Sequence, residues 1–231
     1  MSKERDRDLL REKLRTIPYF RGLDPAALDA LAQTAIWRTY AAGAIIFLEG
    51  EASANLYFLT EGWIKVVKTS PEGREQVLRF LGPGETFNEV GVLAHRPNPA
   101  TAIALEHSKL WLLPRDAVRS VLLDRPEAML QVVENMADRL VEMVSLVTDL
   151  SLRSVEARLA RWLLEWSDES GVVSRRRWST QSEMAARLGT VPDVLSRALR
   201  RLSEAGILHV ERRQIRILDQ ARLKERAQVM N

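Results

Sequence analysis

Cysteine is absent from all 231 residues. Without it there is no disulfide, no thiolate metal site and no cysteine-ligated iron–sulfur cluster. Also missing is any unbroken apolar run of membrane-spanning length, which takes about 20 residues. The opening MSKERDRDLLREKL is too charged for a signal peptide. These absences make the cytoplasm the expected location and leave a membrane out of the expected partners. Histidine is scarce, at His95, His107 and His209 only, and no residues stand at metal-ligand spacing. There is no nucleophile–base pair and no phosphate-binding glycine loop, Gly82-Pro83-Gly84 reading as a strand-connecting turn. An enzyme is therefore the weakest reading.

What is present is 46% hydrophobic and 28% charged residues, the mixture of a soluble globular protein long enough for two domains. The net charge of +3 is unevenly spread. Residues 171–231 hold 13 Lys+Arg against 6 Asp+Glu, whereas the first 170 hold 21 against 25. A basic C-terminal quarter on an acidic body suits a polyanion-binding module joined to something else; the alternative is an ordinary solvated face.

From about Trp37 to Leu113 short β-type runs (IIFLEG, LYFLTEG, WIKVVK, QVLRFLGPG, KLWLLP) are punctuated by Gly43, Gly50, Gly62, Gly73 and Gly84. That rhythm predicts an antiparallel sandwich or barrel, with a hairpin turn at Pro71-Glu72-Gly73. A helical lead-in precedes it, with Asp24 as N-cap and Pro25 in the first turn. After Pro126 the period changes. Met129, Val133, Met136, Leu140, Met143, Val147 and Leu150 follow alternating steps of four and three, an a/d seam. Such a helix either pairs with the same helix of a second chain, making a homodimer, or lies on its own domain. The segment from Leu150 to Ser154 interrupts the seam, so Ser151 and Ser154 mark a hinge, with Ser154 capping VEARLARWLLEW. SDESGVVSRRR then reads as a connection. The domains expected are 1–123, a β-roll sensor with its lead-in; 124–152, the dimerisation helix and hinge; and 153–231, the last module.

Residues 180–206 read TQSEMAARLGTVPDVLSRALRRLSEAG. Thr180 and Glu183 form a capping box, Gly189-Thr190 a turn, and Pro192 opens a second helix. Leu195, Ala198, Leu199 and Leu202 give that helix a buried stripe, leaving Ser196, Arg197, Arg200 and Arg201 outward. LHVERRQIRIL reads as a hairpin with Arg212-Arg213 at its tip. Two short helices joined by a tight turn, with arginines on the second and a wing behind, describe a winged helix-turn-helix. A bland three-helix domain is the alternative.

With IPYFRGLDPAALDALA, PGETFNEVGVL and TQSEMAARLGTVPDVLSRALRRL all in place, the whole chain resembles the CRP/FNR transcription regulators. The resemblance implies an α+β fold: an N-terminal jelly-roll domain of cyclic-nucleotide-binding type, a long dimerisation helix and a C-terminal winged helix-turn-helix. It implies a homodimer on a two-fold-symmetric site in double-stranded DNA, RNA polymerase as a partner, and control of transcription, as an activator or as a repressor. The family's three base-reading positions fall on Pro192, Asp193 and Arg197, of which only Arg197 matches. Arginine pairs bidentately with guanine; Asp193 still accepts from cytosine, while Pro192 has no donor. Thr180, Gln181, Arg212 and Arg213 are the implied phosphate contacts.

The resemblance also locates an effector pocket and shows it altered. Glu89 keeps the glutamate that meets a nucleotide ribose. Asn98 and Pro99 stand where the family's phosphate-binding arginine and serine belong, and Met143 and Val144 occupy its two adenine-contacting positions. A phosphate without a guanidinium forfeits its charge-assisted partner, which argues against cyclic AMP. The remaining options are a hydrophobic or flat aromatic effector, haem on His95 included, since the pocket loop also resembles the family branch that senses nitrogen oxides and other gases through haem, or no effector, with activity set by protein concentration. A β-roll module that regulates a partner protein is the reading from a different class.

Overall fold

The computed structural model describes residues 3–229, with side-chain detail from Asp8. Met1, Ser2, Met230 and Asn231, at the edges of the first and last expected domains, lie outside the described residues. Contacts divide the chain into two compact units, one comprising the chain up to Lys68 plus Arg79–Val141, the other Thr69–Leu78 plus the chain from Glu142 onward.

The first unit opens with α1 (Lys3–Leu14), a 3-10 turn at 18–20 and α2 (Pro25–Thr34). The Asp24 side chain accepts from Ala27 N at 2.8 Å and Pro25 follows at the first helical position, so α2 starts where its sequence dictates. Eight strands follow: β1 (Ile36–Tyr40), β2 (Ile45–Phe47), β3 (Asn55–Glu61), β4 (Ile64–Thr69), β5 (Glu75–Leu81), β6 (Thr86–Phe87), β7 (Thr101–Ala104) and β8 (Ser108–Pro114). They form two four-stranded sheets, ordered β1-β8-β3-β6 and β2-β7-β4-β5. Phe47, Ile64, Leu81 and Ala102 from one sheet meet Tyr57, Leu59, Phe87, Leu110 and Leu112 from the other in the core of the roll. At Gly62 the chain turns with φ +92, and a Cβ there would lie 2.3 Å from Ser108 Oγ, so only glycine fits.

Between β6 and β7 lies α3 (Glu89–Leu93), and after β8 come α4 (Arg115–Leu123) and α5 (Pro126–Leu152). Leu28 and Leu31 of α2, Val118 and Leu122 of α4, and Ala128 and Val132 of α5 close a second apolar core against β3 and β8.

In the second unit α6 (Val155–Trp166) follows α5, and Ser154 Oγ accepts from Ala157 N at 3.2 Å. Then come β9 (Val172–Ser174), α7 (Gln181–Arg187), α8 (Pro192–Glu204), β10 (Leu208–Val210), β11 (Gln214–Ile217) and α9 (Gln220–Gln228). The expected connection SDESGVVSRRR is thus partly a strand. β9 pairs antiparallel with β11, Gln214 facing Ser174, in a sheet ordered β10-β11-β9. Apolar residues of α6, α7, α8, the sheet and α9 form one core.

Candidate nucleic-acid interface

The helix pair α7–α8 is built locally. Thr180 Oγ1 accepts from Glu183 N at 3.2 Å, one of the two bonds of the expected capping box, and Thr180 N donates to the Trp178 carbonyl at 2.7 Å. Gly189 turns the chain at φ +61, Val191 is extended at φ −113, and Pro192 begins α8. Leu195, Ala198, Leu199 and Leu202 are buried, which turns the opposite face of α8 to solvent.

That face carries the expected readers. Pro192, Asp193, Arg197, Arg200 and Arg201 are exposed, and Ser196 is half-buried with its hydroxyl donating to Gln181 Oε1 at 3.3 Å. Arg197 Nε leans back on the Asp193 carbonyl at 3.4 Å, and Arg200 reaches Glu204 at 3.5 Å. Both contacts are long and solvent-facing, so they are easily exchanged for a ligand. Arg197 and Arg201 also border a hollow with Glu156 and Arg226, which pair at 3.1 Å.

Arg212 and Arg213 stand at the tip of the β10–β11 wing, both exposed. A single groove brings them together with Thr180 and Gln181, and adds Arg175, Arg176 and Arg177, which the sequence reading left in the connection. The triplet was visible in the sequence; what was not visible is the β9–β11 pairing that carries it to the wing, with Arg175 N donating to the Arg213 carbonyl at 2.8 Å.

In the first unit, Glu89 is buried to 1% exposure. Arg139 of α5 grips both its oxygens, one Nη2–Oε1 contact measuring 2.6 Å, and also bonds the Thr86 carbonyl at 3.0 Å. Thr86 Oγ1 donates to Glu89 at 2.6 Å, and the Tyr19 hydroxyl donates to Thr86 Oγ1 at 2.7 Å and to Glu89 at 3.2 Å. Burial, and then the Glu89 carboxylate, push the Tyr19 phenol well above its usual pKa. Sequence reasoning missed Arg139; an arginine inside an apolar heptad helix was the available signal.

Asn98 is buried, and its backbone takes part in two bonds of 2.9 Å, N to the Glu51 carbonyl and carbonyl from Gly50 N, while Nδ2 donates to the Leu48 carbonyl at 3.2 Å. Pro99 is exposed, its carbonyl bonded by Lys68 at 3.3 Å. His95 is exposed at φ 57, with Nδ1 3.5 Å from the Arg115 guanidinium. Neither its exposure nor that cationic neighbour suits an axial ligand of a buried haem. Among the described residues no group of three or more His, Asp and Glu is placed to hold a metal ion. No described helix is long and apolar enough to cross a membrane.

The expected seam of α5 divides. Val133, Leu140 and Val147 are 58%, 64% and 62% exposed, whereas Met129 and Met136 pack against the core of the first unit. Leu150 lies over Gly189 within the second unit, Met143 is half-buried and Val144 is 58% exposed. The exposed stripe therefore continues through Leu130, Ala137 and Val144, one residue round from the sequence frame, because the methionine side is used for packing the helix on its own unit. Ser151 lies inside α5 and Ser154 in the break before α6.

Comparison with known proteins agrees with this architecture. Residues 37–125 match the family model of the cyclic nucleotide-binding domain, and residues 157–226 match that of the Crp-like helix-turn-helix domain. The "CRP-like cAMP-activated global transcriptional regulator" of Mycobacterium tuberculosis is 30% identical over 213 residues, covering 90% of this chain and 95% of that protein. The "Cyclic AMP receptor protein" of Thermus thermophilus is 29% identical over 209 residues, with the same coverages of 90% and 95%. The structure of FixK2 from Bradyrhizobium japonicum superposes with a TM-score of 0.74 at 22% identity, covering 83% of this chain and 96% of that one, and so supports the fold. With a sensor-type β-roll, a long helix, a winged helix-turn-helix and this degree of likeness along its length, the chain belongs to the CRP/FNR family of transcription regulators, which are not enzymes.

Proposed function

We propose that this protein is a homodimeric, sequence-specific regulator that reads a two-fold-symmetric DNA site and responds to something other than cyclic AMP. The observation that carries the DNA reading is the exposed arginine face of α8 over a closed apolar core, with an arginine-lined groove at the wing beside it. Recognition of the site runs mainly through Arg197, whose fork matches the guanine O6/N7 edge. Asp193, one methylene shorter than the family's glutamate, is the weaker reader, and Pro192 reads nothing.

The two relatives above carry cyclic AMP in their names, and the sensor unit matches a cyclic nucleotide-binding family. Against the same ligand here stand the replacement of the phosphate guanidinium by Asn98, already bonded to Leu48, and Pro99, which has no N–H to give. An uncharged effector, or none, fits these side chains better. RNA polymerase is the partner we assign to the DNA-bound dimer on the family resemblance, with the cytoplasm as the place of action.

Selection of bound sequences from a random duplex pool tests the reading. A palindrome with half-sites about one helical turn apart is expected. Arg197→Ala then lowers affinity for the selected duplex by ~1–3 kcal/mol and leaves non-specific binding at matched salt nearly unchanged. Equal losses on both duplexes would refute the assignment.

A further inference from the structure

The arginine run ahead of α7 lines the groove at the wing but has no DNA contact of its own assigned above. Arg175, Arg176 and Arg177 leave β9 immediately after its pairing with β11, and the Arg175 N–H is fixed to the Arg213 carbonyl at 2.8 Å. Arg176 and Arg177 are exposed, as are Arg212 and Arg213 at the wing tip, and all of these line one groove with Arg175. Five arginines therefore line a single groove, and among the described residues no carboxylate lines it. Several guanidinium groups along one groove suit a polyanion with several spaced charges rather than a single small anion.

The groove also contains Thr180 and Gln181, and Gln181 is the residue that meets Ser196 of α8. It therefore adjoins the helix that reads bases, on the wing side.

We infer that the Arg175–Arg177 run and the wing tip together form a clamp on the DNA backbone beyond the bases read by α8, extending each half-site outward. This rests on the DNA-binding reading of α8. The run adds affinity and register without sequence information, since guanidinium groups contact phosphates of any sequence equally well.

The test compares salt dependence on two duplexes carrying the selected palindrome, one with about ten flanking base pairs at each end and one trimmed at the half-site edges. Each phosphate contact contributes about 0.9 to the slope of log affinity against log salt. The R175A/R176A/R177A protein is expected to lose about 2–3 from that slope on the long duplex and to bind the trimmed duplex as the parent does. Lysine at the same three positions keeps the charge and is expected to restore most of the slope. If the alanine protein keeps the parent's slope on the long duplex, or if lysine fails as alanine does, the clamp is overturned while α8 readout stands. If the parent protein selects no palindrome and shows no salt dependence, both fail together.

Discussion

Arg139 and Glu89 form a two-point ion pair inside the first unit, the carboxylate 1% exposed and the guanidinium also bonded to the Thr86 carbonyl. Nucleotide or no nucleotide, this glutamate is already neutralised by the protein's own long helix. Removing the guanidinium alone leaves a buried, unmatched charge, which costs about 3–5 kcal/mol; removing both charges avoids most of that cost. Arg139→Met is therefore expected to lower the urea unfolding free energy by roughly this amount, and the Glu89→Gln/Arg139→Met pair to recover more than half. A loss under about 1 kcal/mol in the single variant would show that the carboxylate has other support.

The same cluster makes the fold sensitive to alkali. Tyr19 is held well above its ordinary pKa of 10.0 by burial and then by Glu89, and burial pushes Tyr57 up to about 12. A phenol whose folded pKa is raised stabilises the fold fully below its unfolded value near 10 and loses that contribution as pH climbs toward the folded value. Melting temperature is expected to hold from about pH 8 to 9 and to fall steeply above about 10, with a shallower fall in Tyr19→Phe. An identical slope in the two proteins would remove Tyr19 from the cause.

Much of this was legible beforehand for identifiable reasons. Asp24-Pro25, Ser154, Pro192 and the buried stripe of α8 act through backbone bonds and periodicity within a few residues, so sequence spacing alone locates them. The β9 strand was not legible: three residues, Val172–Ser174, gain strand geometry only by pairing with β11 some forty positions later. The Arg139–Glu89 pair spans fifty residues, and the helix period shows no more than that an arginine interrupts an apolar stretch. The apolar residues of α5 that stay exposed stand at Leu130, Ala137 and Val144 rather than at the expected Met129, Met136 and Met143, because α5 has two apolar sides and the sequence does not say which meets its own core.

Asn98 and Pro99 offer a gain-of-function trial. The parent protein is expected to give no saturable calorimetric heat with cyclic AMP up to about 1 mM, a free energy near −4 kcal/mol. Asn98→Arg with Pro99→Ser restores a guanidinium and a hydroxyl, and is expected to improve affinity on the order of tenfold or more. A folded double variant without that gain would point to Met143 and Val144 as the second barrier. Saturable binding by the parent would overturn the reading that the pocket rejects the nucleotide.

Gly189 is required twice over. Its φ of +61 disfavours any side chain, and a Cβ would sit 2.4 Å from Leu150 Cδ2 and 2.9 Å from Gln76 Oε1, whose Nε2 donates to the Arg187 carbonyl at 3.1 Å. Gly206, in the same unit with φ +69, has nothing within 4 Å of its Cβ position. Gly206→Ala thus reports the backbone cost, about 1 kcal/mol, and Gly189→Ala is expected to lose on the order of 2–3 kcal/mol through added crowding. Equal losses, measured by thermal unfolding, would mean that Leu150 and Gln76 yield freely.

In the proposed homodimer the two apolar sides of α5 are expected to separate dimerisation from folding. Met136 packs on the core of its own unit, so Met136→Ala is expected to cost about 1–3 kcal/mol of unfolding free energy and to leave the assembly state unchanged. Leu140, 64% exposed in the single chain, has its apolar surface free for a partner helix. Leu140→Glu places a charge where two such helices would meet, and a charge in an apolar seam is costly unless it is paired. Sedimentation equilibrium is expected to show this variant as a folded monomer, with operator affinity reduced more than roughly tenfold because one chain no longer delivers the second recognition helix. If Leu140→Glu stays dimeric while Met136→Ala dissociates, the partner helix meets the methionine side, and the exposed stripe from Leu130 to Val147 has another use.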